Sequence, residues 1–262
     1  QISCWRAMSA NMHRGRSMSE WRLCEADSPA LAQAFGDLET VFALQGEQIT
    51  RDPLSEVIRL EIAGVRYYVK RYWGAGKGLR RWFGRPRVKA EWQNLKHFAK
   101  WGIPTAPVVA FGLERRAGAF VRGALITREL KHTEDLAQLA IQSDPRLRDR
   151  AWVDGISRQL ASSTRRMHDH HFAHNDLKWR NLLVDDQQQL FFIDCPGGSF
   201  WWGPFLRYRI VKDLACLDKV AKTCLSRTQR LRFYLQYRGR LKLNASDKVR
   251  IRQIEDFFEG RE

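Results

Sequence analysis

Apolar and polar positions alternate with a period near two through the first half of the chain, and with a helical period through much of the second. Between Leu38 and Lys70 the pattern predicts strands at Thr40–Leu44, Val57–Ala63 and Val65–Lys70, the last two joined tightly around Gly64. A helix is predicted from about Val88 to Trp101, closed by Gly102 and followed by Pro104. Strand-like runs return at Val108–Phe111 and Phe120–Thr127. From Ala151 to His170 a second helix sets Trp152, Ile156, Leu160, Ser163 and Met167 along one face. Leu182–Val184 and Leu190–Ile193 then read as short strands joined by a polar turn, Asp185 to Gln189. A strand-rich part followed by a helix-rich part is an α+β arrangement, expected in two lobes that join near Glu129–Lys131. The expected domains are a strand-rich lobe over residues 20–130 and a helix-rich lobe over 131–262. Residues 1–19, basic and without an acid, read as a disordered extension ahead of a start at Met18.

Composition narrows the class. Hydrophobic residues are 44% of 262, with 10 Trp and 14 Phe, which supports a buried core and excludes a disordered or fibrous chain. The longest nearly apolar run, Ile103–Leu113, is too short to cross a bilayer as a helix. A formal charge of +16 points to an anionic partner without saying which. The five cysteines form no Cys-x-x-Cys pair, which fits a reducing, cytoplasmic setting and no disulfide framework.

The chemistry concentrates in His174-Asn175-Asp176-Leu177-Lys178-Trp179-Arg180-Asn181, followed 13 residues after Asn181 by Asp194 at the end of an apolar strand. In a hairpin of those two strands Asn181 and Asp194 lie side by side at the open end, and Asp176 reaches the same end from the preceding loop. One amide oxygen and two carboxylates are a hard donor set suited to Mg²⁺. A carboxylate beside such a metal can also orient a hydroxyl and accept its proton during phosphoryl transfer. Ordinary turn chemistry accounts for Asp185 and Asp186, but not for the whole string.

This string resembles the catalytic loop and metal-binding aspartate of the protein-kinase-like superfamily. Within that superfamily the chain is similar to the bacterial lipopolysaccharide core kinases, the Kdo/heptose kinase family. The compact size, Leu-Lys-Trp-Arg-Asn after Asp176, Ile-Asp-Cys at 193–195 and Lys212-Asp213-Leu214 carry that likeness. The resemblance implies a two-lobed protein-kinase-like fold that uses ATP and Mg²⁺. It implies Asp176 as the catalytic carboxylate, Lys178 beside the transferred phosphoryl, and Asn181 with Asp194 as metal ligands. It further implies that Lys70, held by Glu91, grips the ATP phosphates, and that the backbone near Glu129 and Leu130 meets the adenine. Glu91 supports this independently, as the one charge on the inward face Val88, Glu91, Trp92, Leu95, Phe98 and Ala99, where a carboxylate needs a cation. Asp213 reads as a helix N-cap, and the resemblance adds a brace for the catalytic loop.

Two departures bear on function. No Gly-x-Gly-x-x-Gly lies between Leu38 and Lys70, so a phosphate cover would draw on other amides, around Thr50–Ser55. Cys-Pro-Gly-Gly follows Asp194, with no Ala-Pro-Glu after it, which argues against a regulated protein kinase and for a small-molecule or glycolipid kinase. The histidines at 168, 170, 171 and 174 are read as a helix end plus the loop rather than as a zinc site. Two basic-aromatic segments remain. Lys70–Lys89 holds eight basic residues and no acid among Tyr72, Trp73, Trp82 and Phe83, and Ser199–Lys212 mixes Phe200, Trp201, Trp202, Phe205 and Tyr208 with Arg207, Arg209 and Lys212. The first suits an anionic membrane surface better than nucleic acid. The second falls where the kinase fold docks its acceptor. The expected acceptor is a sugar hydroxyl, heptose or Kdo, of the lipopolysaccharide core or its lipid-linked precursor, met at the cytoplasmic face of the inner membrane. Rival readings are a kinase of another small molecule or a protein, and a non-catalytic nucleotide-binding scaffold.

Overall fold

The computed structural model describes residues 10–13, 17–25, 28–73 and 85–260. The chain divides into two compact units, Gln1–Leu95 with Ala106–Glu129, and Lys96–Thr105 with Leu130–Glu262. Trp82 and Phe83 of the first basic-aromatic segment lie outside the described residues. No helix among the described residues is long and apolar enough to cross a membrane.

The first unit contains β1 (Ala10–His13), β2 (Ser17–Leu23), α1 (Pro29–Phe35), α2 (Leu38–Ala43), β3 (Glu47–Asp52), β4 (Ser55–Ile62), β5 (Val65–Tyr72), α3 (Arg87–Lys100, leaving the unit after Leu95), β6 (Val108–Arg116) and β7 (Ala119–Arg128). Among the described residues its sheet runs β1-β2-β6-β7-β5-β4-β3, antiparallel throughout. Ala63 and Gly64, at φ 51° and 74°, make the tight β4–β5 turn, since two successive left-handed residues match the twist of the strands. Phe35, Val41, Val69, Val109 and Ile126 form the buried centre of this unit.

Two expectations are corrected here. Residues 40–43 are not a strand but the end of α2, and Leu44 is its C-cap. The Asp37 side chain accepts the Thr40 N–H at 2.7 Å and starts the helix, and Leu38 and Val41, one turn apart, are its buried side. Nor are the described residues of the 1–19 segment, 10–13 and 17–19, without structure. β1 and β2 form a hairpin, and β2 pairs with β6 from Ser17↔Arg116 to Leu23↔Ala110. Trp21 and Leu23, two positions apart and so on one strand face, pack on the core, and Trp21 Nε1 donates to Phe35 O at 2.8 Å.

The second unit contains the end of α3, then β8 (Thr133–Asp135), α4 (Leu136–Ile141), α5 (Arg150–Asp169), β9 (Phe172–Ala173), β10 (Leu182–Asp185), β11 (Leu190–Phe192), β12 (Ser199–Phe200), α6 (Gly203–Cys224), α7 (Arg227–Arg238) and α8 (Ala245–Glu255). Asp149 caps α5 by accepting from the Ala151 and Trp152 amides. The inward face of α5 buries Trp152, Ile156, Leu160, Ser163 and Met167. α7 ends at Gly239, whose φ of 61° closes the helix in the left-handed region. Ala161, Val211, Leu214, Tyr234, Tyr237 and Phe257 form a buried cluster among these helices.

Candidate active site

On β5 in the first unit, Lys70 Nζ lies 3.1 Å from Glu91 Oε2 of α3. Glu91 is buried among Val88, Trp92 and Leu95, so its charge is held by specific partners rather than by water. One is Tyr72, two positions after Lys70 on the same strand face, whose hydroxyl donates to Glu91 Oε2 at 2.5 Å. Burial and the Glu91 charge push the Tyr72 hydroxyl far above its ordinary pKa, so it stays a donor. Sequence reasoning missed Tyr72, although its i+2 spacing from Lys70 is a usable signal.

The β3–β4 turn, within the Thr50–Ser55 stretch expected to cover the phosphates, is closed on itself. The Asp52 carboxylate accepts the Leu54 amide at 2.7 Å and the Ser55 amide at 2.9 Å, and these bonds hold it below the usual carboxylate range. At the other end of the unit the Glu129 N–H donates to Arg66 O at 2.9 Å. The Leu130 carbonyl accepts the Thr133 hydroxyl at 2.8 Å. Those two groups are therefore spent within the protein. The Glu129 carbonyl and the Leu130 N–H have no partner among the described residues and are what this stretch can offer a base.

In the second unit a short helical turn, Trp179–Asn181, carries the polypeptide into β10. Trp179 anchors it, buried and donating Nε1 to Leu217 O at 3.0 Å. β10 pairs with β11 from Leu182↔Phe192 to Val184↔Leu190, and the Ile193 N–H donates to Asn181 O at 3.0 Å. This register puts Asp194 one residue beyond the partner of Asn181. Asn181 Nδ2 is bound to Asp176 O at 2.8 Å, which leaves the amide oxygen for a cation. Asp176 is part-exposed, with Lys178 Nζ at 2.6 Å and Arg180 Nη2 at 3.4 Å. Burial alone would raise the Asp176 carboxyl, but the hydrogen bond and charge of Lys178, aided by Arg180, outweigh it and hold the pKa below the ordinary value. Asp176 is thus ionised at neutral pH. Carboxylate and amide oxygens of this kind fit a hard divalent cation.

Asp213 is a correction. It does not cap a helix, because α6 already starts at Gly203, with Pro204 in its first turn. Asp213 lies inside α6, fully buried, and its carboxylate accepts the His174 amide at 2.7 Å and the Asn175 amide at 2.9 Å. His168 Nε2 lies 3.4 Å from Asp213 Oδ2, and His168 Nδ1 lies 2.8 Å from the Tyr237 hydroxyl. A chain of polar contacts thus runs from α7 through α5 and α6 to the residues just before Asp176. Tyr237 has no local signal in the sequence, since it meets His168 across 69 positions.

His174 is fully buried and stacks on Phe98, ring centroids 6.1 Å apart, with neither ring nitrogen hydrogen-bonded among the described residues. It supports the loop by packing and through its backbone, not through its ring nitrogens. Burial lowers its pKa. Below about pH 6.5 the unfolded chain takes up a proton that the folded chain refuses, so folding stability falls with acid by at most about 1.4 kcal/mol per pH unit. Melting His174→Phe and the parent at pH 7 and pH 5 tests this. The variant should lose less stability on acidification, and equal losses would mean that His174 charges freely in place.

The lipopolysaccharide kinase (Kdo/WaaP) family matches residues 39–237. The chain is 25% identical over 123 residues to a 3-deoxy-D-manno-octulosonic acid kinase of Vibrio cholerae, covering 47% of this chain and 46% of that one. It spans about half the length of that curated relative. It also superposes on WaaP, solved in complex with acyl carrier protein, with a TM-score of 0.69 and 25% identity, covering 88% of this chain and 98% of that one. The architecture is therefore protein-kinase-like, and the chain belongs to the lipopolysaccharide kinase (Kdo/WaaP) family.

Proposed function

We propose that this chain transfers the γ-phosphate of ATP to a sugar hydroxyl of the lipopolysaccharide core, heptose or Kdo, at the cytoplasmic face of the inner membrane. The observation that carries the reading is the part-exposed, ionised Asp176, fixed beside Asn181 on a loop that Asp213 braces from within the core. In this reading Asp176 orients the acceptor hydroxyl and takes its proton as the oxygen bonds to phosphorus and ADP leaves. Lys178 moves from its carboxylate partner to the phosphoryl oxygens. Lys70, held by Glu91 and Tyr72, binds the ATP phosphates. Asn181 and Asp194 are the residues that would hold Mg²⁺, which supplies charge neutralisation at the phosphates. The Glu129 carbonyl and the Leu130 N–H are assigned to the adenine.

An acyl carrier protein is proposed as a partner of the second unit. A cavity of about 360 Å³ there is lined mainly by apolar side chains, Trp152, Ile156, Leu160, Leu217 and Ile254 among them, with Arg227 and an Arg230 paired to Asp218 at 2.6 Å also on its wall. A space of that chemistry suits an acyl chain, and Arg227 at its wall suits an acidic carrier.

The test is a transfer assay with purified protein, Mg-ATP and dephosphorylated core, with Kdo-terminated and heptose-bearing acceptors run separately and the products weighed by mass spectrometry. Phosphate should appear on one core sugar and not on a basic peptide or a simple aminosugar. Phosphate on the peptide or aminosugar alone would overturn the substrate, and ATP binding with no transfer at all would favour a scaffold.

A further inference from the structure

The start of α6 carries an exposed aromatic edge, of which Tyr208 also packs on the core, its ring centroid 5.5 Å from that of Phe257. Trp202, Phe205 and Tyr208 are 64%, 70% and 47% exposed, far above what such side chains keep in a packed domain. They recur every third residue, so they follow one side of the helix start. Arg207 beside them is exposed, and Ser199–Lys212 contains no acid. The first carboxylate, Asp213, is buried and turned to the catalytic loop. Val249, itself 55% exposed, and Arg250 of α8 extend the surface along a groove with Arg207 and Tyr208, which includes one carboxylate, Asp256.

We infer that this edge is a docking surface for an anionic lipid bilayer. Aromatic rings with cationic neighbours suit the headgroup boundary, where the rings leave water and the guanidinium groups meet phosphates. Charge selects the occupant, because a chain of +16 presenting arginines and no exposed acid along Ser199–Lys212 attracts an anionic surface and repels a second copy of itself. Position gives the surface a purpose. Arg209 stacks on Trp201, 4.5 Å from the ring centre, and its Nη1 lies 3.4 Å from Asn175 Oδ1, one residue before Asp176. Docking by this edge holds the Asp176 loop close to the bilayer, where a lipid-borne sugar would be presented. The inference rests on the lipid-linked acceptor of the proposed function but is read without transfer.

The experiment is co-sedimentation of the whole chain with vesicles of phosphatidylcholine alone or mixed with phosphatidylglycerol. The parent should bind the mixed vesicles, less so at high salt, and bind phosphatidylcholine weakly. Trp202→Ser/Phe205→Ser should bind at least about tenfold more weakly, with its melting temperature and Mg-ATP binding kept. Arg207→Glu, a lighter change, should lose mainly the part that depends on phosphatidylglycerol. Equal vesicle binding by parent and variants would overturn the surface. So would a dimer that only the parent forms, or acyl carrier protein binding lost in the variants while vesicle binding is unchanged. A parent that phosphorylates nothing yet binds vesicles in this pattern would sink the kinase reading and leave the docking surface standing.

Discussion

Asp176→Asn should bind Mg-ATP as the parent does and transfer its phosphate about 10²–10⁴-fold more slowly, the usual contribution of a positioned proton acceptor. The amide fills the same space and can still accept the Lys178 ammonium hydrogen bond, now 2.6 Å to Oδ1, so the loop should keep its shape. What it lacks is basicity. The backbone that sets the position is untouched, since the His174 and Asn175 amides remain on Asp213. Single-turnover rates with core acceptor, beside calorimetric ATP binding, separate the two effects. A rate within tenfold of the parent would remove Asp176 from the chemistry. An equal fall in ATP affinity would instead make it a binding residue.

How much of this was legible in the sequence depends on whether a contact is local. The α3 face announces itself through periodicity, and Glu91 stands out as a charge among apolar neighbours, so its contact with Lys70 could be read before any coordinates. The β10–β11 hairpin is likewise written in two short apolar runs and a polar turn. Residues 40–44 misled because five apolar or β-branched residues satisfy strand and helix alike. The Asp37 cap three residues earlier decides the matter. Asp213 misled for a different reason. An aspartate ahead of an apolar run is an N-cap by local rules; the brace came from the resemblance alone, and the loop amides it holds lie 38 and 39 positions away. Tyr237 and the aromatic edge of α6 are the extreme case, since partners and exposure are properties of the folded unit.

Lys70→Met should cost both activity and about 3 kcal/mol of stability, the two losses having one cause. Removing one partner of a buried ion pair typically destabilises by 3–5 kcal/mol, because the remaining charge has lost its compensation. The low end applies because the Lys70 side chain keeps 20% of its exposure while that of Glu91 keeps 6%. The Tyr72 hydroxyl stays on Glu91, but a single neutral donor does not replace a cation. The methionine also has no charge for the ATP phosphates, so transfer should fall with the fold intact at room temperature. A second substitution separates the two losses. Lys70→Met/Glu91→Leu removes both charges from the apolar surroundings of α3 and should recover much of the stability while transfer stays lost, a coupling expected only of residues in contact. Denaturant unfolding of the two variants and the parent, with transfer measured on the same samples, gives the answer. A single variant as stable as the parent would mean that Glu91 is neutralised elsewhere, and a fully active one would mean that the phosphates are held by other groups.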